Sequence, residues 1–331
     1  MRPRAHRGER GRPAGGSLSP PGGGPPQHQP GASPPPRRGK QSRTTGRSEL
    51  ARNPRFAEVS PEVGQLDHVA VQQLLAADAD AALALLADLV HATDESLREA
   101  ARLLAARLVL DRARVGRPHL RGIGRLRRVR ADQGGDLDVD TSLDAVVSAR
   151  AEGRQPALDE LSARDWSRPE LAIALVLDTS GSMSGSRLAA AALTAAACAW
   201  RAPAEHAVIT FAREVTVLRS LESAASPSAE VDAVLALRGH GITGLAGALR
   251  AANDALASAR ASRRLVLLLS DCRATDEVDP VPAGSHTPEL LILAPADDCA
   301  EAAEFAAACG ARWAPLSGPA DAPTVLADLL R

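Results

Sequence analysis

From residue 171 onward the apolar positions follow two alternating signatures. Leu171–Leu177 and Leu265–Leu269 are unbroken apolar runs, the pattern of strands buried on both faces, and Leu290–Leu293 is a third. Between and after them apolar residues recur at helical spacing over 187–201, 229–237, 245–260, 299–309 and 321–330. His206–Ala212 and Val215–Leu221 read as two strands joined by a tight turn at Arg213-Glu214, and 312–316 as a short final strand. Strands alternating with helices predict an α/β fold: a doubly wound, mainly parallel sheet, Rossmann-like in outline, with one antiparallel hairpin edge. Ligands of such sheets bind just beyond the carboxyl ends of the strands.

Upstream the period changes. Over 60–113 the residues Leu74, Leu75, Leu83, Leu85, Leu86, Leu89 and Val90 recur at three- and four-residue steps. Thr93-Asp94-Glu95 then marks a new helix start before Leu97, Leu103, Leu104 and Leu108, so two or three antiparallel helices are expected. Residues 1–55 show no period at all. Runs such as Pro34-Pro35-Pro36-Arg37-Arg38 offer almost nothing apolar to offset the entropy of ordering, which predicts a tail without fixed structure. The chain therefore divides into a tail (1–55), a small helical region (56–170) and an α/β domain (171–331).

Charge sharpens this division. The formal net charge of the 331 residues is −1, but residues 1–55 hold 12 Arg and Lys against 2 Glu, leaving 27 basic and 38 acidic residues for the rest. A basic leader precedes an acidic body. The leader could touch nucleic acid electrostatically, yet a solvated tail is the simpler reading, and nucleic acid is not the expected partner. Residues 112–130 then carry eight Arg and no acid, followed by Asp132, Asp136, Asp138, Asp140 and Asp144. Asp136-x-Asp138-x-Asp140 has the ligand spacing of a calcium loop, but Thr141 and Val147 stand where glycine and a bidentate glutamate are needed. The cluster reads instead as an acidic turn capping a helix over Ser142–Arg150.

Several classes drop out. No apolar run reaches the length of a membrane-spanning helix, and no apolar segment follows the Arg-rich start, so neither a membrane span nor a secretory signal is expected. Cys198, Cys272, Cys299 and Cys309 form no C-x-x-C pair, which points to reduced thiols and a cytoplasmic location. No G-x-S-x-G occurs to make a serine nucleophile of any Ser beside His206, His240 or His286, so the chain is not expected to be an enzyme.

The informative residues lie at strand ends. Strand 171–177 runs into Asp178-Thr179-Ser180-Gly181-Ser182-Met183, a D-x-S-x-S sequence. The glycine-rich loop Gly239–Gly244 supplies Thr243, and strand 265–269 ends in Ser270-Asp271-Cys272. These three elements converge on one crevice with carboxylate and hydroxyl oxygens and no His or Cys ligand. That donor set suits a hard cation, Mg²⁺ with Mn²⁺ as the alternative, and leaves a coordination position for an outside oxygen.

On these residues the chain resembles a von Willebrand factor type A (VWA) domain with a complete metal-ion-dependent adhesion site. The resemblance covers about residues 170–331 and places the site on Asp178, Ser180, Ser182, Thr243 and Asp271. It implies that the two Ser and the Thr contact the metal, that the two Asp act largely through water, and that an acidic side chain of a partner completes the shell. One departure is Cys272, where glycine often follows the Asp. More narrowly, Gly135-Asp136-Leu137-Asp138, Arg168-Pro169, Leu237-Arg238-Gly239-His240-Gly241 and Leu269–Thr275 resemble bacterial intracellular proteins related to CoxE and to the D subunit of magnesium chelatase. That resemblance implies an adaptor working with a MoxR-type AAA+ ATPase, or with its client, in metal-cofactor insertion or protein maturation. The alternative it implies is a non-ATPase subunit of a chelatase-like complex. The only Lys, Lys40, is not followed by Ser or Thr, so no P-loop is present and ATP hydrolysis would come from the partner.

Overall fold

The computed structural model of the chain describes residues 44–114, 125–133, 136–167, 171–181, 183–239, 241, 243–275 and 277–331. Five helices come first: α1 (Arg47–Leu50), α2 (Phe56–Val59), α3 (His68–Ala77), α4 (Ala79–Leu89) and α5 (Glu95–Arg112). The three long ones each begin at an aspartate whose carboxylate accepts first-turn amide hydrogens: Asp67 for α3, Asp78 for α4 and Asp94 for α5. One expectation is corrected here, because residues 44–55 are folded rather than part of a tail. Thr45 bridges to Ala92, and Leu50 is buried together with Phe56 and Val59 against the helices. The Arg-rich composition of this stretch hid a few apolar anchors. The remainder of the expected tail, residues 1–43, lies outside the described residues.

A small antiparallel sheet follows, in the order β1 (Arg125–Arg130), β3 (Ser162–Ser167), β2 (Asp136–Leu137), with α6 (Val139–Ala151) packed on β3. Sequence periodicity predicts only helices for this region, so these strands are a second correction. The acidic turn does cap α6, but three residues earlier than expected. Asp138 accepts from the Thr141 amide and from Arg164 Nε at 2.7 Å, and the Arg164 hydrogen bond holds its carboxyl below the usual range.

The main sheet is built outward from β4 (Leu171–Asp178). After α7 (Gly185–Arg201) the chain adds β5 (Glu205–Phe211) parallel to β4, then β6 (Val215–Arg219) antiparallel at the edge. It crosses back through α8 (Pro227–Leu235) and α9 (Leu245–Ala257) to β7 (Arg263–Leu269) on the other side of β4. Then α10 (Val281–Ser285), β8 (Leu290–Pro295), α11 (Ala300–Cys309), β9 (Arg312–Leu316) and α12 (Ala322–Leu329) complete the order β6-β5-β4-β7-β8-β9. The direction of winding reverses between β4 and β7, which opens a crevice at their carboxyl ends.

Alternate residues of β4 serve opposite faces. Ala172, Ala174 and Val176 pack with α9 and α11, while Ile173, Leu175 and Leu177 pack with α7. Helix α7 is buried all round from Leu188 to Ala199 because α4 and α5 cover its outer side. Its many alanines let it sit close to a sheet on one flank and a helix on the other. Helices α1–α5 therefore share one core with the α/β layers instead of standing apart.

The junction of that outer layer contains a buried histidine. His91, just after α4, is 6% exposed, and its Nε2 has no hydrogen-bond partner. Burial, with the Arg238 charge adding to it, lowers its pKa from 6.5 to about 4. The unfolded chain then binds the extra proton between those values, so this proton linkage costs no stability at neutral pH. Stability is lost progressively as pH falls from 6.5 towards 4. Urea titrations of His91→Leu and the parent chain are expected to show the parent losing stability relative to the variant as pH falls through this window; a constant difference between the two would refute the assignment.

Candidate functional site

The crevice at the switch point gathers the expected elements. Asp178 ends β4, and each of its carboxylate oxygens is held: Oδ1 accepts from the Ser180 amide at 2.9 Å, and Oδ2 from the Ser270 hydroxyl at 2.6 Å. The second bond crosses from β7 to β4, so Ser270 orients Asp178 (a role that sequence reasoning missed). Its only signal is a hydroxyl at the end of a buried strand. Beyond it Asp271 Oδ1 accepts from the Arg273 amide at 3.0 Å.

Thr243 comes from the loop before α9. Its amide donates to Thr275 Oγ1 at 2.8 Å, and Thr275 N returns a bond to the Thr243 carbonyl, which ties this loop to the one carrying Asp271. Contact with the Asp178 loop is closer still. A Cβ on Gly239 would overlap the Gly181 carbonyl oxygen and lie 2.7 Å from the Met183 nitrogen, so only glycine allows the two loops this approach. Ser182, the fifth expected ligand, and His240 lie outside the described residues.

Among the described residues no hydrogen bond engages the Ser180 hydroxyl, the Thr243 hydroxyl or Asp271 Oδ2, whereas both Asp178 oxygens are pinned. The available donors are all oxygen, and two carboxylates match a divalent charge. The donor chemistry therefore fits a hard cation. Among the described residues no three His, Cys, Asp or Glu side chains gather into a metal-binding group, so any cation here would rest on hydroxyl oxygens as well as carboxylates.

Two further features bear on this face. Cys272 has φ 62°, and its amide donates to Ser270 Oγ at 2.9 Å. A left-handed conformation is the reason glycine is favoured after this Asp. Burial pushes the Cys272 thiol well up, with Asp271 and Asp178 adding to the effect, so it is neutral and a poor nucleophile. The helical layer also reaches the site: Asp88 on α4 accepts from the Gly185 amide at 2.7 Å, at the start of α7.

The other candidate histidines lie away from this chemistry. His206, near the start of β5 and thus at the opposite end of the sheet, is buried between the Ala202 carbonyl and Glu230. His286 Nδ1 contacts the Pro282 carbonyl. All four cysteines are free thiols. Among the described residues no helix is long and apolar enough to cross a membrane.

A parallel sheet with its crevice at a β4–β7 switch point, lined by D-x-S and a strand-end Asp, defines a VWA domain, a class of protein-interaction module. The family model described as "VWA domain containing CoxE-like protein" matches residues 107–303, more than half of the chain, and the chain belongs to that family. The match begins in α5 and therefore includes the small sheet. A search of curated proteins gives no significant match. Among solved structures, the von Willebrand factor type A protein from Catenulispora acidiphila is 16% identical, with TM-score 0.39, covering 51% of this chain and 43% of that one. The conserved hypothetical protein BatB from Bacteroides thetaiotaomicron is 13% identical, with TM-score 0.37, covering 48% and 97%. Manganese-loaded TRAP from Plasmodium vivax is 13% identical, with TM-score 0.36, covering 49% and 72%.

Proposed function

We propose that this chain is a non-catalytic docking module whose partner binding depends on a divalent cation, Mg²⁺ with Mn²⁺ as the alternative. Asp178, Ser180, Ser182, Thr243 and Asp271 would hold the ion. The observation that carries the reading is the contrast between a pinned Asp178 and the unengaged oxygens of Ser180, Thr243 and Asp271 around it. When bound, the cation supplies a Lewis-acidic position for a carboxylate of the partner. The chain's own part is to fix that position: Ser270 and the Ser180 amide orient Asp178, Thr275 places the Thr243 loop, and Gly239 sets the spacing between loops. Membership of the CoxE-like family supports a MoxR-type AAA+ ATPase or its client as the partner, in metal-cofactor insertion or protein maturation. The four free thiols support a cytoplasmic setting.

Mg²⁺ alone tests the cation site. A ligand that binds only the folded state at ~100 times its dissociation constant adds about 2.7 kcal/mol of stability. The parent chain is expected to melt several degrees higher in Mg²⁺ than in EDTA, and Ser180→Ala with Asp271→Ala to remove that difference. Equal melting of the parent chain in Mg²⁺, Mn²⁺ and EDTA would overturn the reading.

A further inference from the structure

A cavity of about 550 Å³ opens on the same strand ends, lined by Asp178, Ser180 and Asp271 on one side. Its inner wall is apolar: Met183, Ala190, Ala191, Leu316 and Pro319 line it and are all buried. The volume lies within the range of pockets that take small ligands or single side chains. Both walls are anchored on α4. Asp80 accepts from the Ala320 amide at 2.7 Å behind the 316–319 wall, and Asp88 accepts from Gly185 at the start of α7. A Cβ on Gly318 would strike the Asp80 carboxylate, so that wall packs directly against α4. The cavity is thus preformed by the outer helical layer.

Arg187, in the first turn of α7, stands at its mouth. Its Nη1 is 3.1 Å from where a Cβ on Gly181 would lie, so the guanidinium covers the loop between Ser180 and Ser182. It is exposed, and among the described residues no carboxylate pairs with it. Asp297 is an exposed acid of the same lining and repels carboxylates near it. Ser186, Ser270 and Ser317 are the other hydroxyl-bearing residues of the lining. A guanidinium beside a loaded cation site favours carboxylates twice over, and Arg can bind one in bidentate fashion.

Resting on the docking reading above, we infer that the partner segment is an acidic–apolar peptide stretch. One carboxylate reaches the cation site, an adjacent aliphatic side chain enters the cavity, and a second carboxylate pairs with Arg187. This makes Arg187 and the Ala190–Ala191 wall the specificity elements of the module.

Fluorescence anisotropy of the full chain with labelled, acetylated peptides in Mg²⁺ tests this. The probes carry Glu-Ser, Glu-Leu or Glu-Leu-Glu within a Gly/Ser background. Leu in place of Ser is expected to tighten binding roughly ten-fold, in line with burial of an aliphatic side chain. Arg187→Ala should remove the further gain from the second Glu and leave the Leu gain intact. Ala190→Phe should abolish the Leu gain; should that variant fold poorly, Arg187→Glu on the surface still tests the second carboxylate. Mg²⁺-dependent peptide binding that ignores both Leu and Arg187 overturns this inference while the cation site stands. A parent chain that Mg²⁺ neither stabilises nor equips to bind any of the peptides overturns the docking reading and this inference together.

Discussion

Replacing Glu230 with alanine is expected to lower stability by about 3–5 kcal/mol, the cost of breaking a buried ion pair by removing one partner. Glu230 is 4% exposed, and its Oε2 serves two groups at once: His206 Nε2 at 2.7 Å and Arg219 Nε at 3.1 Å. Arg219 also donates to the carbonyls of His206, Ser220 and Ser223, so it clamps β5 and the chain beyond β6 around α8. Among the described residues Glu230 is the only carboxylate paired with this arginine. Without it, a buried guanidinium remains without charge compensation, although its carbonyl bonds persist. For a domain of this size the loss corresponds to a fall in melting temperature of roughly 6–20 °C. Against a typical total of about 5–15 kcal/mol, that is enough to leave part of the population unfolded on mild heating. Glu230→Gln keeps an acceptor and loses the charge, so an intermediate loss is expected. In Glu230→Ala with Arg219→Met the uncompensated charge is gone, and the double variant should lose less than the sum of the two singles. Thermal melts of the four chains decide it. A fall below about 1 kcal/mol for Glu230→Ala would show that solvent reaches Arg219 and that the cluster carries little.

The cluster also shows why parts of this molecule were legible in sequence and others were not. β4, β7 and β8 are buried on both faces, and a strand buried in that way must be an apolar run whatever its neighbours; their ends fall within about two residues of expectation. Because Asp178 and Asp271 sit at those ends, and Thr243 just before a regular helix, the candidate site inherited that legibility. The small sheet did not share it. β1 reads Arg-Leu-Arg-Arg-Val-Arg, and its pairing partner β3 lies more than thirty residues away, so the interaction that makes it a strand is invisible locally. Burial of α7 was equally hidden, since alanine suits a helix on any face and only the packing of α4 and α5 fixes which faces are covered. Polar positions were the least legible. Nothing local distinguishes Ser270, which orients Asp178, from any other serine after a strand, or Asp88 and Asp80 from other helix-surface acids. Their roles arise from contacts across 92, 97 and 240 residues of chain.

Gly239→Ala is expected to have the largest effect on the candidate site of any single methyl group. The added Cβ would lie 1.7 Å from the Gly181 carbonyl oxygen and press on the Gly181 carbonyl carbon at 2.8 Å and the Met183 nitrogen at 2.7 Å. All three obstacles are backbone, so no side chain can swing aside, and the loops 178–183 and 239–244 must part. Overpacking of this kind costs about 1–3 kcal/mol and sometimes more. The consequence for binding exceeds the consequence for folding. Ser180 and Thr243 stand on the two loops that separate, and a hard cation tolerates little change in donor spacing. Mg²⁺ affinity should therefore fall by at least ~10-fold, equivalent to about 1.4 kcal/mol, while far-ultraviolet dichroism stays that of the parent. Gly241→Ala provides the contrast. Gly241 has φ 97° and nothing within 4 Å of its Cβ position, so alanine there meets conformational strain but no obstacle. It should lower stability modestly and leave the two loops in contact. Calorimetric titration of both variants with Mg²⁺ separates steric displacement from strain. Equal affinity losses in the two would mean that loop conformation, and not the close approach at Gly239, sets the cation site; an unchanged affinity in Gly239→Ala would mean that Thr243 takes no part in it.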